Sequence, residues 1–229
     1  MKNSLLAGML LIATGTANAA LINIDFGGAE YTGQGILGDN VNTTWNSLGA
    51  TSFNNLTYAD GAVSIVDIAT TFNDSSTNAN RTDDLLRDRV IGTDGDPTSD
   101  SETITLSSLT ANTAYDIVLY NGFFAQTYSI AGQSILATTN PGEFSANNSY
   151  GSWTEGVEYA VLASVMSDSL GELEITVTAY PDGDNIFGEN SAIAGLQIQE
   201  SSAVPLPAAA WLFVTGLLGL AGIARRKKT

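Results

Sequence analysis

The 229-residue chain has no cysteine and no histidine, and only eight lysines and arginines stand against 24 acidic residues. Each shortage removes a class of chemistry. Without cysteine there is no disulfide and no thiol nucleophile, and without histidine there is no Ser-His-Asp or Cys-His relay. Zinc and copper sites built on imidazole or thiolate are excluded for the same reason. Small exported domains often lean on disulfides; this chain must rest on its core, on a bound metal, or on both. Hard cations with oxygen ligands stay open, calcium above all.

The few basic residues are also unevenly placed. All 24 acids lie between Asp25 and Glu200, where the only cations are Arg81, Arg87 and Arg89, so three positive charges against 24 negative leave this body at −21. Such a surface repels nucleic acid and anionic lipid and attracts cations.

The two ends are different. At the N-terminus, "MKNSLLAGMLLIATGTANAA" combines Lys2, an apolar stretch from Leu5 to Ala13, and Ala17 and Ala19 at the −3 and −1 positions of an A-x-A site. This is the three-part pattern of a secretory signal peptide, too short in its apolar part to span a membrane. Cleavage is expected to leave Ala20 first. At the C-terminus, Val204 to Ala224 is free of charge, and its stretch beyond Pro205 and Pro207, Ala208 to Ala224, is 17 residues long. That is the short end of a membrane-spanning helix. Gly216, Gly219 and Gly222 are tolerated in such helices, Trp211 suits the interface, and Arg225 to Lys228 orient the end towards the cytoplasm. A buried helix of the soluble domain is disfavoured, since it would be apolar all round.

Together, the signal peptide, the acidic body, "VPLPAAAWLF", the Gly-rich apolar helix and the closing "RRKK" resemble the PEP-CTERM family. Leu206 stands where the name-giving motif Val204-Pro205-x-Pro207 has Glu. The resemblance implies a Gram-negative, exopolysaccharide-producing source and an exosortase-type enzyme acting near the Pro motif. The precursor would be held in the inner membrane by the helix, with Arg225 and Arg226 inside, and the product would go to the cell surface or matrix. It covers about 26 residues and is silent on the body.

Residues 20–200 are the size of one domain with a real core. Eight segments read as strands between Gly, Asn, Asp and Ser turns: "LINIDFGG" (21–28), "AVSIVDIATTF" (62–72), "ETITLSSL" (102–109), "AYDIVLYNGFF" (114–124), "TYSIAGQSILAT" (127–138), "VEYAVLASVM" (157–166), "LEITVTAY" (173–180) and "AIAGLQIQ" (192–199). The first alternates Ile22, Ile24 and Phe26 with Asn23 and Asp25, the mark of a half-buried strand. The expected fold is an all-β antiparallel sandwich of the jelly-roll kind. One segment departs from it: "RTDDLLRDRVIG" (81–92) predicts a short helix with Thr82 as N-cap and Asp83 and Asp84 in its first turn. Its arginines could form an anion patch, but carboxylates Asp83, Asp84 and Asp88 at helical spacing favour internal pairing.

The opening "INIDFG", Trp45-Asn46, "DDLLRD", "ITLSSLTANTAYDIVLYNG" and the closing "AIAGLQI" resemble a malectin-like or galactose-binding-like jelly roll. That resemblance implies carbohydrate binding through loops at one end. It transfers no individual sugar contact.

Three sets of residues are candidates for chemistry. Asp94, Asp96, Asp100 and Glu102 alternate through "TDGDPTSDSE", and Asp182 and Asp184 repeat Asp-Gly-Asp. Alternate oxygens in a curling loop can converge on calcium; Asp-Gly is equally ordinary turn chemistry. Ser99 and Thr105 break the EF-hand spacing. Tyr31, Tyr120, Tyr150 and Trp153 sit in or beside loop-like stretches and are candidate sugar-stacking rings, whereas Trp45, Tyr115 and Tyr128 are expected in the core. The glycine-rich "GGAEYTGQGILG" lacks the P-loop lysine. Glu143, Glu155 and Glu158 are the carboxylates to inspect for a glycoside hydrolase, although the usual general base is missing. The function expected is a secreted, surface-sorted, non-enzymatic sandwich that binds extracellular polysaccharide, with calcium as its one candidate cofactor. The alternatives are a carboxylate-dependent polysaccharide hydrolase or lyase, and a structural matrix protein without a ligand.

Overall fold

The computed structural model describes residues 20–28, 31–38, 43–49, 52–77, 84–92, 100–121, 126–130, 133–137, 153–179 and 190–201. Both terminal segments, with Ala17, Ala19, Val204 to Pro207 and Arg225 to Arg226, lie outside these residues, as do Asp94, Asp96, Glu143, Tyr150, Asp182 and Asp184. Among the described residues, no helix is long and apolar enough to cross a membrane.

In chain order the elements are β1 Leu21–Phe26, β2 Asn46–Leu48, β3 Asp67–Thr70, β4 Asp74–Thr77, α1 Asp84–Arg87, β5 Asp88–Ile91, β6 Ser101–Ser107, β7 Ala114–Tyr120, β8 Gln126–Ile130, β9 Gln133–Ala137, β10 Tyr159–Met166, β11 Leu173–Ala179, β12 Ala192–Ile193 and β13 Gly195–Glu200. They form an all-β sandwich. One sheet runs β10-β7-β13-β1-β2, the other β3-β6-β11-β8-β9, and a small third sheet runs β12-β5-β4. From β6 to β11 the chain repeatedly crosses between the two large sheets, as in a jelly roll. Every named strand pair is antiparallel except β1 with β2.

The core lies between the large sheets. Ile24, Phe26, Ile117, Leu119, Leu196 and Ile198 come from the first sheet, and Ile68, Ile104, Leu106, Ile175 and Val177 from the second. Side chains alternate across a strand, so these positions recur every second residue. Tyr115 and Tyr128 belong to this core, and Trp45 is buried in a second cluster.

Three expectations are corrected. Of the helix expected over 81–92, Arg81, Thr82 and Asp83 lie outside the described residues; over 84–92 the helix is confined to the single turn of α1, and the chain then extends as β5. Val90 and Ile91 pair there with Ile193 and Ala192 on one side and with β4 on the other. β-Branched side chains and two partner strands outweigh a local helix preference. Asp88 therefore sits on a strand, and Arg87 approaches it from the adjacent position, Nε to Oδ1 3.8 Å. The segment 62–72 is extended sheet only over Asp67–Thr70; Val63 makes an isolated bridge to Thr57. Finally, β1 is not half-buried. All six of its residues are enclosed, Asn23 and Asp25 included, because a further layer covers the outer face of its sheet.

Candidate functional site

The covering layer is aromatic. Tyr31 meets Trp45 edge-on at 5.1 Å between ring centroids, Trp45 meets Tyr120 at 6.0 Å, and Tyr120 meets Trp153 at 5.3 Å and Tyr159 at 6.4 Å. Leu85 and Leu86 of α1 and Val118 of β7 complete the cluster. Edge-to-face rings at these distances add stability beyond the area they bury.

Beneath the rings runs a buried polar network. The Tyr120 hydroxyl donates to Gln197 Oε1 at 2.7 Å and accepts from the backbone N–H of Ile36 at 2.7 Å. Gln197 Oε1 also accepts from Leu37 N at 2.8 Å, while its Nε2 donates to Asn23 Oδ1 at 2.7 Å and to the carbonyl of Leu37 at 3.1 Å. Asn23 Nδ2 reaches the carbonyl of Thr44 at 3.0 Å, and Trp45 Nε1 the carbonyl of Gly33 at 2.9 Å. These bonds strap residues 31–38 onto the sheet. A loop crossing a sheet face needs its backbone groups satisfied, and β1, β7 and β13 supply the partners.

Of the candidate sugar-stacking residues, Tyr31, Tyr120 and Trp153 are therefore gathered in one place, but as packing. Tyr120 is corrected from a stacking platform to a core residue: it is fully buried, and a sugar cannot reach its ring. Trp153 is 9% exposed. Tyr31 keeps part of its surface open, yet its hydroxyl is committed to the carbonyl of Gln34 at 3.0 Å. Tyr159 is also partly open. Burial, then the charges of Glu155 and Glu158, push its phenol above the usual value. Glu158 Oε2 accepts the N–H of Thr154 at 2.8 Å, which makes it a turn residue.

Asp100 and Glu102 are buried at the opposite, inner side of the second sheet. Asp100 Oδ2 accepts from Ser191 N at 2.7 Å and Ser191 Oγ at 3.0 Å, and Glu102 is bonded by the Thr71 hydroxyl. Among the described residues, no group of three or more acidic side chains is gathered for a metal.

The second sheet presents a different outer face. Its outward positions are Ser101, Thr103 and Thr105 on β6, Glu174, Thr176 and Thr178 on β11, and Thr127 and Ser129 on β8. Thr176 stands between Thr103 and Ser129, and Thr178 between Ser101 and Thr127. Among the described residues, no layer of rings covers them. A groove of about 510 Å³ opens here, lined by Thr105, Ser129, Thr176, Asp168, Glu172, Glu174 and Met166 over Ile130 and Leu173. Its rim is the turn from β10 to β11. Asp168 Oδ1 accepts from Leu170 N and Glu172 N, both at 2.8 Å. Gly171 takes φ 76°, and a Cβ there would fall 2.1 Å from the carbonyl oxygen of Leu109, so only glycine fits. Glu172, Glu174 and Met166 are exposed. The groove offers hydroxyls, carboxylates and one thioether, and none of its lining residues is cationic. It suits a neutral, hydroxyl-rich ligand and repels an anionic one.

This face holds hydroxyls where the sequence expectation rests on aromatic rings. Its trace was present: Thr103-Ile104-Thr105, Thr127-Tyr128-Ser129 and Thr176-Val177-Thr178 each place hydroxyls two residues apart, the spacing of one strand face.

No family model and no curated protein matches the chain. Solved structures do. The ANXUR2 extracellular domain from Arabidopsis thaliana is similar at a TM-score of 0.51 and 16% identity, over 80% of this chain and 50% of that one. The ANX2 ectodomain from the same plant gives 0.48 and 17% identity over 80% and 51%. A Bacillus subtilis protein gives 0.41 and 14% over 81% and 41%. At 16% identity the likeness to the ANXUR2 domain shows a shared sandwich fold alone. The chain spans about half the length of the structures it matches.

Proposed function

We propose that this chain is an exported, non-catalytic glycan-binding sandwich that works in the exopolysaccharide matrix of its producer. The observation that carries the reading is the open outer face of the second sheet, with its hydroxyl rows and its groove of about 510 Å³. Paired hydroxyls and carboxylates hydrogen-bond sugar hydroxyls, and the Met166 side chain gives an apolar contact for sugar C–H groups. The malectin-like pattern of the sequence points the same way. Export rests on the signal-peptide pattern, and surface sorting by an exosortase-type enzyme rests on Val204 to Pro207, the apolar helix and Arg225 to Lys228. In this reading the helix is a disposable inner-membrane anchor.

The test is to incubate the purified protein with the producer's own polysaccharide, with and without calcium, and measure both retention and chain length. Retention of intact polysaccharide, lowered by Thr176→Val and Glu174→Gln, is the expected result. Shortened chains would make the protein a hydrolase or lyase. Neither retention nor shortening would leave a structural matrix protein. Mass spectrometry of the mature surface protein tests the sorting step: a C-terminal peptide that still carries the helix would make the anchor permanent.

A further inference from the structure

Where β6 and β8 begin and β11 ends, the inner face of the second sheet turns polar. The carbonyl of Asp100, just before β6, accepts the N–H of Ala179 at 3.0 Å, and Ala179 pairs with Gln126 on its other side. One cross-strand row therefore reads Asp100, Ala179, Gln126, with exposures of 4, 5 and 0%. The next inward row reads Glu102, Val177, Tyr128. Adjacent strands lie about 4.8 Å apart, so the backbones of Asp100 and Gln126 stand roughly 10 Å apart with only the methyl group of Ala179 between them.

Both side chains lean on the same short segment. Asp100 Oδ2 takes the N–H and hydroxyl of Ser191, and Gln126 Nε2 donates to the carbonyl of Asn190 at 3.1 Å. That leaves Asp100 Oδ1 and Gln126 Oε1, each buried and without a partner. The Glu102 carboxyl and the Ser191 hydroxyl close in over Gly92, where a Cβ would lie 2.5 Å from each. Glu102 is 3% exposed.

We propose that this cradle binds one hard divalent cation, calcium in preference to magnesium, through Asp100 Oδ1, Gln126 Oε1 and the Glu102 carboxylate. Both unpartnered atoms are acceptors, so neither can satisfy the other. Burying a carboxylate oxygen without a partner is unfavourable, and a buried bare carbonyl adds to the cost. A cation answers both at once, and carboxylates with an amide carbonyl are the ligand set calcium takes, water completing the shell. The site is independent of whether the outer groove takes a glycan. A buried water donating to both oxygens is the competing occupant, and it predicts no response to cations.

Calorimetric titration of the chelator-treated full-length chain with calcium chloride decides between them. We expect saturable binding of one ion and a melting temperature that climbs with the logarithm of calcium concentration. Asp100→Asn should weaken binding about tenfold or more, since it removes a charged ligand. In chelator it should melt no lower than the wild type, because its buried charge is gone. Gln126→Met keeps the volume, removes the amide oxygen and should also weaken binding, which covers the case in which Asp100→Asn fails to fold. No heat and no melting shift in the wild type overturns the proposal. So does undiminished binding in Asp100→Asn or Gln126→Met, which would place the ion elsewhere.

Discussion

The two outer faces of this sandwich are built from strands of similar length, yet one is sealed and the other open. On the first sheet, β1 is buried at every position and β7 at most of them. On the second, β6 and β11 alternate strictly between buried and open. The difference lies in what crosses above. The first sheet carries residues 31–38, α1 and the rings of Trp45, Tyr120 and Trp153; among the described residues no such layer lies on the second, which carries a groove. The covered face is a second core, whereas outward side chains of the other sheet keep part of their surface exposed. Aromatic residues thus mark the covered face here, and small hydroxylated residues mark the outward positions of the second sheet.

The sharpest way to break this contrast is to remove a ring from the sealed side. Trp45→Ala should lower the unfolding free energy by about 3–5 kcal/mol, as for other large aromatic truncations in a core. Urea unfolding measures it, and a loss below about 1 kcal/mol would mean that the layer is not a second core. Gln197→Leu should cost about 1–3 kcal/mol, because it leaves Leu37 N, Tyr120 and Asn23 short of partners inside the protein. Hydrogen exchange should then locate faster opening at residues 31–38.

The interior between the faces predicts a gain. The Tyr128 hydroxyl is fully buried without a partner, so Tyr128→Phe should stabilise by about 1 kcal/mol. The same phenol gives a pH signature. Burial raises its folded pKa above the ordinary 10.0. Its contribution is therefore complete below that ordinary value and is lost as pH climbs from there towards the folded value. The wild type should destabilise more steeply in alkali than Tyr128→Phe, read as melting temperature against pH.

The smallest expected effect on stability is the most informative about binding. Thr176→Val on the open face should change stability by less than about 0.5 kcal/mol. A large loss there would show that the hydroxyl rows are structural, and the two faces would differ less than their exposure suggests.

The sequence shows the half-buried pattern most clearly in β6 and β11, whereas the expected strand 127–138 is two strands, β8 and β9. In β6, Ile104 and Leu106 alternate with Thr103 and Thr105, because solvent on one side forces polar residues there. β1 was read as a strand but misjudged as half-buried, since Asn23 and Asp25 look like solvent-facing residues until Thr44, Gln197 and Tyr31 are seen to take up their polar atoms. β5 was missed because Leu85, Leu86, Arg89 and Val90 fall at helical spacing. Only its neighbours β4 and β12, distant in sequence, decide that it is extended. The candidate site followed the same division. Tyr120, an apparent sugar platform, lies in the sealed layer, while the groove joins β6, β8, β10 and β11 from four separate segments.

The sequence by itself determined which side-chain chemistries are absent, the acidic character of the body and the all-β class. These depend on composition and on periods of a few residues. The tertiary structure alone decided that a layer covers the first sheet, that the rings are packing, and that Asp100 and Gln126 flank Ala179 in one cross-strand row with Glu102 in the next. Those facts depend on strand order and register, and register joins residues far apart in the chain through hydrogen bonds that no local pattern encodes.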